Sequence, residues 1–408
     1  MKKLSWTKDQ RRRAGAFLGL ALLCGLTLLY CLVNIFTIDR FGTAYSPDEE
    51  NYIDMARNLL EHGYYSYWGG EPDAYVSPGY PVFLTLCMAL FGTDLQGIDC
   101  IKFVQAFLVC GTAALVFTQV WLLTKKYSMA LIAAALQGFN GCYPYYSRRM
   151  LTEVLFAFLM MLFFVVFTLA LQREKKWLHF LSGLLFCAAV FVRPLLIIVL
   201  PVLYLPLLVK YWRQWKKIFL PLGLFLLGFV LLGLPWWIRN LVTLHKFVFL
   251  ATQTNPLFYG IIKDPKALGL EDPHSLLGNI LLFFQLLVQR PVETLRWILV
   301  EKFNTIFMAP GGDVQYLPTI TDFVKLASLF LGLAGALRAF FSKKLVWAAI
   351  PFFLYFLAIF AFVPTARFAL QYWPLLACFA GFAVGGLFTG LEPARWPFGK
   401  GKGSSEQE

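Results

Sequence analysis

The chain has 408 residues, 59% of them hydrophobic and only 14% charged, with a mean hydropathy of +0.65. Soluble domains carry about 25% charged residues, so a soluble fold is excluded. The net charge of +13 does not mark a nucleic-acid binder, because the cations sort by side of a membrane instead of forming one basic patch.

With a cytoplasmic N-terminus, the inner side collects the six cations before residue 14. It also takes Lys125, Lys126, Arg173, Lys175, Lys176, Lys210, Arg213, Lys216, Lys217, Arg338, Lys343, Lys344 and the basic tail Arg395, Lys400, Lys402. That side then carries a net +16 and the other −3, although the outer segments are much longer, and the positive-inside rule fixes the orientation.

The first apolar run, about 14–36, follows Lys2, Lys3, Lys8, Arg11, Arg12 and Arg13 and lacks a small-x-small cleavage site, so it reads as a signal anchor. The outer loop of about 37–96 is too long for a simple connector. Within it Ser46 is a good N-cap, Pro47 fits the first helical position and Glu49 completes a capping box. Tyr52, Met55, Ala56, Leu59 and Leu60 then share one helical face, and Gly63 stops the helix. This helix is expected on the membrane surface. The apolar run 81–91 is too short to span and is placed beside it as an interfacial or re-entrant helix. Capping accounts for Glu49 but leaves Asp48 unexplained: helix-dipole complementarity and a chemical role are both open for it.

Further spans are expected at 97–123, 127–143, 151–171, 177–192, 195–209 and 217–234, with a possible break at Arg193-Pro194. Glu153 lies at the outer end of the 151–171 span. An acid at that depth needs a partner or a task, either a salt bridge to Arg148, Arg149 or Arg193 or a place in the chemistry. The second outer loop, about 235–320, contains helical patterns at 276–289 and 292–308 divided by Arg290-Pro291. The last spans are 321–338, 345–361 and 366–389. Residues 1–392 thus read as one all-α polytopic membrane domain of about ten spans, and 393–408 as a short cytoplasmic tail.

Arg193, Arg239, Lys302 and Arg367 all fall near the outer ends of helices, where the positive-inside rule gives no reason for them. Guanidinium forks match phosphate oxygens and lysine adds a point charge, so a lipid-linked phosphate is the natural anionic partner. Interfacial snorkelling, with pairing to Glu153, Glu301 or a headgroup, is the alternative. Among the aromatic residues of the first loop, Tyr64, Tyr65, Tyr67 and Trp68 are candidates for stacking on a sugar. Scattered histidines and the lack of CxxC argue against structural zinc. No cofactor is demanded, and a divalent metal is left open. Cys87 and Cys100 flank an outer segment and are free to pair, though nothing in their spacing demands it. No nucleotide-binding or hydrolase signature is present.

The order SPDEENYIDMARNLLEHGYYSYWGGEPDAYVSPGYPVFLTLCMALFG (46–92), LTEVLFAF (151–158), VRP (192–194), PWWIRN (235–240) and ARFALQYWPLLA (366–377) resembles the bacterial polyprenol-phosphate-sugar-dependent transferases. These are GT-C fold membrane glycosyltransferases related to protein O-mannosyltransferases and the lipid A aminoarabinose transferase. The resemblance covers the chain to about residue 390. It implies a hexosyl or pentosyl transferase that moves a sugar, with inversion, from a polyprenyl-phosphate-linked donor to a lipid, glycan or protein acceptor on the outer face of the cytoplasmic membrane. Asp48 would be the base and Glu153 a second acid, with Arg239, Arg367 and Arg193 or Lys302 around the donor phosphate. Some relatives carry Lys or Arg before the proline pair of the first loop, where this chain has Val76 and Ser77, so no metal or phosphate role transfers to that point. The chain ends soon after its last span, so acceptor recognition is expected from the two outer loops and the membrane cavity. A flippase or transporter of lipid-linked saccharides and an O-antigen ligase or polymerase are the rival readings.

Overall fold

A computed structural model describes residues 7–38, 45–253, 255–308, 318–342 and 345–389. The expected cytoplasmic tail 393–408 lies outside them, as do Lys343 and Lys344. Among the described residues the chain is helical and contains no strand. In order the helices are α1 (Lys8–Ile38), α2 (Pro47–Glu61), α3 (Gly79–Phe91), α4 (Leu95–Thr124), α5 (Tyr127–Gly138), α6 (Cys142–Ser147), α7 (Glu153–Arg173) and α8 (Lys176–Val192). After a 3₁₀ turn at Pro194–Val199 come α9 (Leu200–Leu203), α10 (Leu205–Lys210), α11 (Lys216–Leu244), α12 (Asn255–Ile261), α13 (Leu276–Gln289), α14 (Pro291–Arg296), α15 (Pro318–Phe340), α16 (Val346–Ala358) and α17 (Trp373–Thr389). Five of the described helices, within α1, α4, α7, α11 and α15, are long and apolar enough to cross a membrane, and the chain is a multi-pass membrane protein.

Four expected spans take a different form. The run 195–209 is a 3₁₀ turn and two short helices, because Pro194, Pro201 and Pro206 each remove an amide donor and each sits in the first turn of its own piece. The run 127–143 is split between α5 and α6 at Phe139-Asn140-Gly141. Conversely, the helix expected to stop at Leu234 continues through Pro235 to Leu244. In an apolar surrounding, losing one backbone bond at proline costs less than opening a whole helix end. In the last expected span, 366–371 is a 3₁₀ turn and the α-helix begins at Trp373.

α7 is the buried centre, whereas α1 and α11 turn most of their residues outward. α8 crosses α11 at backbone contact: a Cβ on Gly183 would lie 1.9 Å from the Phe225 carbonyl oxygen, and one on Gly228 2.2 Å from that of Phe180. Gly79 performs the same service for the first loop. A Cβ there would meet the Phe191 carbonyl carbon at 2.6 Å, so α3 starts against the end of α8, beside Arg193.

Candidate active site

The N-terminus of α2 is fixed from two sides. Glu49 Oε2 accepts from the Ser46 amide at 2.8 Å and from the Ser46 hydroxyl at 2.9 Å, which is the local half of the capping box. Glu49 is also fully buried, forms an ion pair of 2.5 Å with Arg149, and accepts the Met150 amide at 2.9 Å through Oε1. The approach to α7 is thereby tied to the start of α2, which brings Asp48 and Glu153 into one neighbourhood.

There, four of the expected residues form an alternating chain of charge. Asp48 Oδ2 meets Arg367 Nη2 at 2.7 Å. The Nε of Arg367 lies 4.0 Å from Glu153 Oε1, and Glu153 Oε1 accepts from Arg193 Nη2 at 2.5 Å. Arg193 Nε donates to Thr152 Oγ1 at 3.1 Å. The order is acid, base, acid, base, each charge neutralising its neighbour. Burial pulls against the charge of Arg367, but Glu153 and Asp48 outweigh it and raise its pKa. The side chain of Glu153 is 2% exposed, and its Oε2 accepts no hydrogen bond among the described residues. Asp48 is more open, at 39%, and its Oδ1 accepts from the Tyr67 hydroxyl at 3.1 Å. Burial, supported by the charge of Asp48, pushes the Tyr67 phenol up to about 12, so it stays a donor at neutral pH.

Arg239 and Lys302 make their hydrogen bonds elsewhere. The Arg239 fork donates to the backbone carbonyls of Asp73, at 2.6 Å, and Tyr65, at 2.8 Å, and so clamps the first loop onto α11. It lies within α11, five residues before the end at Leu244, not at the helix end expected from the sequence. Lys302, between two π-helical turns, is fully buried and donates to the carbonyls of Phe360 and Phe362 at 2.5 and 3.0 Å. Burial lowers its pKa to about 7. It thus anchors the segment that leads to Arg367.

A cavity of about 700 Å³ lies between α2, the first loop, α3, α7, α8 and α11, with Leu155 and Val192, near Glu153 and Arg193 in sequence, in its wall. Phe83, Leu86, Leu155, Phe191 and Trp236 contribute apolar wall, and Arg239 is the charged residue in it. Among the described residues no three His, Cys, Asp or Glu side chains gather to hold a metal ion. Asp48 and Glu153 each already face a guanidinium, a donor set that does not fit a divalent cation. All eight cysteines are free thiols, Cys87 and Cys100 included.

Sequence reasoning missed the second role of Glu49, because capping explained that residue fully, and it missed Tyr67 as a partner of Asp48. It also missed Asp73, whose carboxylate accepts the amides of Tyr67 and Tyr75 at 2.7 and 3.0 Å; the short Asp-x-Tyr spacing was the available signal.

This arrangement of helices is the GT-C fold of membrane glycosyltransferases. The chain is similar to ArnT from Cupriavidus metallidurans bound to undecaprenyl phosphate, with a TM-score of 0.51 and 15% identity over 90% of this chain and 60% of that one. It is also similar to the oligosaccharyltransferase AglB from Archaeoglobus fulgidus. In the apo form the TM-score is 0.57 with 16% identity, over 90% of this chain and 50% of that one. In complex with an inhibitory peptide and a dolichol-phosphate it is 0.54 with 15% identity, over the same shares. The chain therefore spans between half and three-fifths of the length of these structures. No protein-family model matches the sequence, and no curated protein matches it significantly.

Proposed function

We propose that the protein transfers a sugar from a polyprenyl-phosphate-linked donor to an acceptor, with inversion and with Asp48 as base, on the outer face of the cytoplasmic membrane. The observation that carries this reading is the 2.7 Å pair of Asp48 with Arg367, continued through Glu153 to Arg193. It gathers a half-exposed acid and two guanidinium groups from widely separated segments, and the sequence neighbours Leu155 and Val192 line an apolar cavity. The polyprenyl phosphates in the ArnT and AglB structures support the donor class, and the sorting of charge supports the orientation, with both termini and the tail 393–408 in the cytoplasm.

In this mechanism the isoprenoid chain lies along the apolar cavity and the phosphate draws the Arg367 fork toward itself. Release from Arg367 frees Asp48 Oδ2 to accept a proton. An acceptor hydroxyl oxygen bonds to the anomeric carbon from the face opposite the phosphate, its proton passes to Asp48, and the anomeric carbon–oxygen bond to phosphate breaks. The electron pair leaves with the polyprenyl phosphate, whose charge Arg367 stabilises. Glu153 and Arg193 hold Arg367 in register between the two partners. Tyr67 keeps the carboxylate of Asp48 oriented.

With purified protein in lipid and a matched donor and acceptor, Asp48→Asn is expected to abolish transfer while donor binding persists. Undiminished turnover would remove Asp48 from the mechanism. Donor binding without any donor consumption by the wild-type protein would overturn the transferase reading itself.

A further inference from the structure

The loop between α2 and α3 is built around Asp73. Its Oδ2 accepts the Tyr67 amide at 2.7 Å and the Ser66 hydroxyl at 3.3 Å, and its Oδ1 accepts the Tyr75 amide at 3.0 Å. Its own amide donates to the Tyr65 carbonyl at 3.1 Å, and Arg239 clamps both ends of this ring of bonds. The second outer region closes it from the other side. Thr252 and Gln253 donate their amides to the carbonyls of Ala74 and Tyr75 at 2.9 and 3.2 Å. A loop held by this many bonds has its ordering entropy already spent, which is how binding surfaces are preorganised.

What the loop presents is aromatic. Trp68 is 68% exposed. Its ring packs 5.0 Å from Tyr67 at 90° and 5.3 Å from Tyr75 at 54°, and Tyr67 and Tyr75 are themselves 5.0 Å apart. Tyr67 is the buried member and holds Asp48 by its hydroxyl, while the Gln253 amide reaches the Tyr75 hydroxyl at 3.4 Å. A large exposed indole is therefore held one tyrosine away from the acid, and the Gln253 amide sits on the hydroxyl of the other tyrosine it packs against.

We infer that Trp68 and Tyr75 form a stacking platform for a pyranose ring. The inference rests on the glycosyl-transfer reading for what the ring is used for. A pyranose has a face of C–H groups and a rim of hydroxyls. The flat rings match the first, and the Gln253 amide at the Tyr75 hydroxyl offers a partner for the second. A tryptophan serving only as an interfacial anchor needs no such scaffold and no link through Tyr67 to an acid. The ring belongs either to the terminal sugar of the acceptor or to the sugar of the lipid-linked donor.

The test is saturation-transfer NMR on the full chain in lipid nanodiscs, with the methyl pyranosides of glucose, galactose and mannose as probes. At least one is expected to receive magnetisation on one ring face in the wild-type protein, with about tenfold weaker binding in Trp68→Ala and binding kept in Trp68→Phe. No transfer to any of the three, or equal transfer in Trp68→Ala, would overturn the inference. Adding a polyprenyl-phosphate-linked hexose separates the sources: displacement of the probe assigns the platform to the donor sugar, and persistence assigns it to the acceptor. Probe binding through Trp68 in a protein that never consumes donor would keep the platform and remove the transfer reaction.

Discussion

Arg367 covers one oxygen of Asp48, the one the proposed mechanism requires as base, so under that mechanism the two residues make opposite demands on one ion pair. Arg367→Ala is expected to lower transfer by about 10²–10³-fold, the scale seen when a donor to developing charge is removed. Arg367→Lys keeps the charge but not the fork and should recover only part of that loss. Steady-state rates with saturating donor check both, and wild-type turnover in Arg367→Ala would take Arg367 out of the mechanism. Lys302 makes a separate prediction about pH. Burial lowers its pKa to about 7, whereas the unfolded chain titrates near 10.4. Between those values the unfolded state holds a proton that the folded state has released, so stability rises with pH, by up to ~1.4 kcal/mol per unit. Below about pH 7 both states are protonated and the full burial penalty remains. Thermal unfolding in detergent at pH 7 and pH 9 should show wild type gaining relative to Lys302→Met; parallel shifts in the two proteins would contradict it. In the sequence, capping left Asp48 without a structural role, but the Arg367 it pairs with is 319 residues away, and no spacing rule reaches that far.

Helix starts written in adjacent residues were readable, and ties between helices were not. Ser46, Pro47 and Glu49 start α2 as their chemistry dictates, yet nothing near Glu49 announces Arg149 and Met150 as its further partners. Glu49→Ala would leave the half-buried Arg149 facing no acid, and breaking a buried pair costs up to about 3–5 kcal/mol. A matching fall in thermal stability, with rescue by the double variant Glu49→Ala/Arg149→Met, is the expected result. Absence of rescue would mean that capping of α2 carries the loss. The proline-rich run after Arg193 illustrates the other limit. Its hydropathy is that of a span, and only the close succession of Pro194, Pro201 and Pro206 decides that it cannot be one continuous helix. Pro235 decides the reverse, because the cost of a single proline is smaller than that of an open helix end in an apolar setting.

Across the whole molecule, the C-terminal end of α8 and the N-terminal ends of α2 and α7 meet at the site, and the end of α11 holds the first loop beside it. Lys125, Lys126, Arg173, Lys175, Lys176 and Lys210 lie at the turns of the opposite end, where Lys210 pairs with Glu174 at 3.0 Å. If charge sets the orientation, a cysteine at Glu71 is labelled by an impermeant maleimide in intact cells, and one at Arg213 only after permeabilisation, each measured against the unmodified chain. The reverse pattern would invert the protein in the membrane. Charge sorting and apolar runs made two unlike ends expected, whereas the joining of the first loop to α11 through Arg239 depends on contacts 166 and 174 residues apart. That clamp has a mechanical consequence. Because one guanidinium grips the loop at both Tyr65 and Asp73, the loop and the end of α11 form a single lever, with the apolar cavity at one arm and Tyr67 at the other. Any displacement of the end of α11 would therefore be carried into the loop whose Tyr67 hydroxyl bonds Asp48.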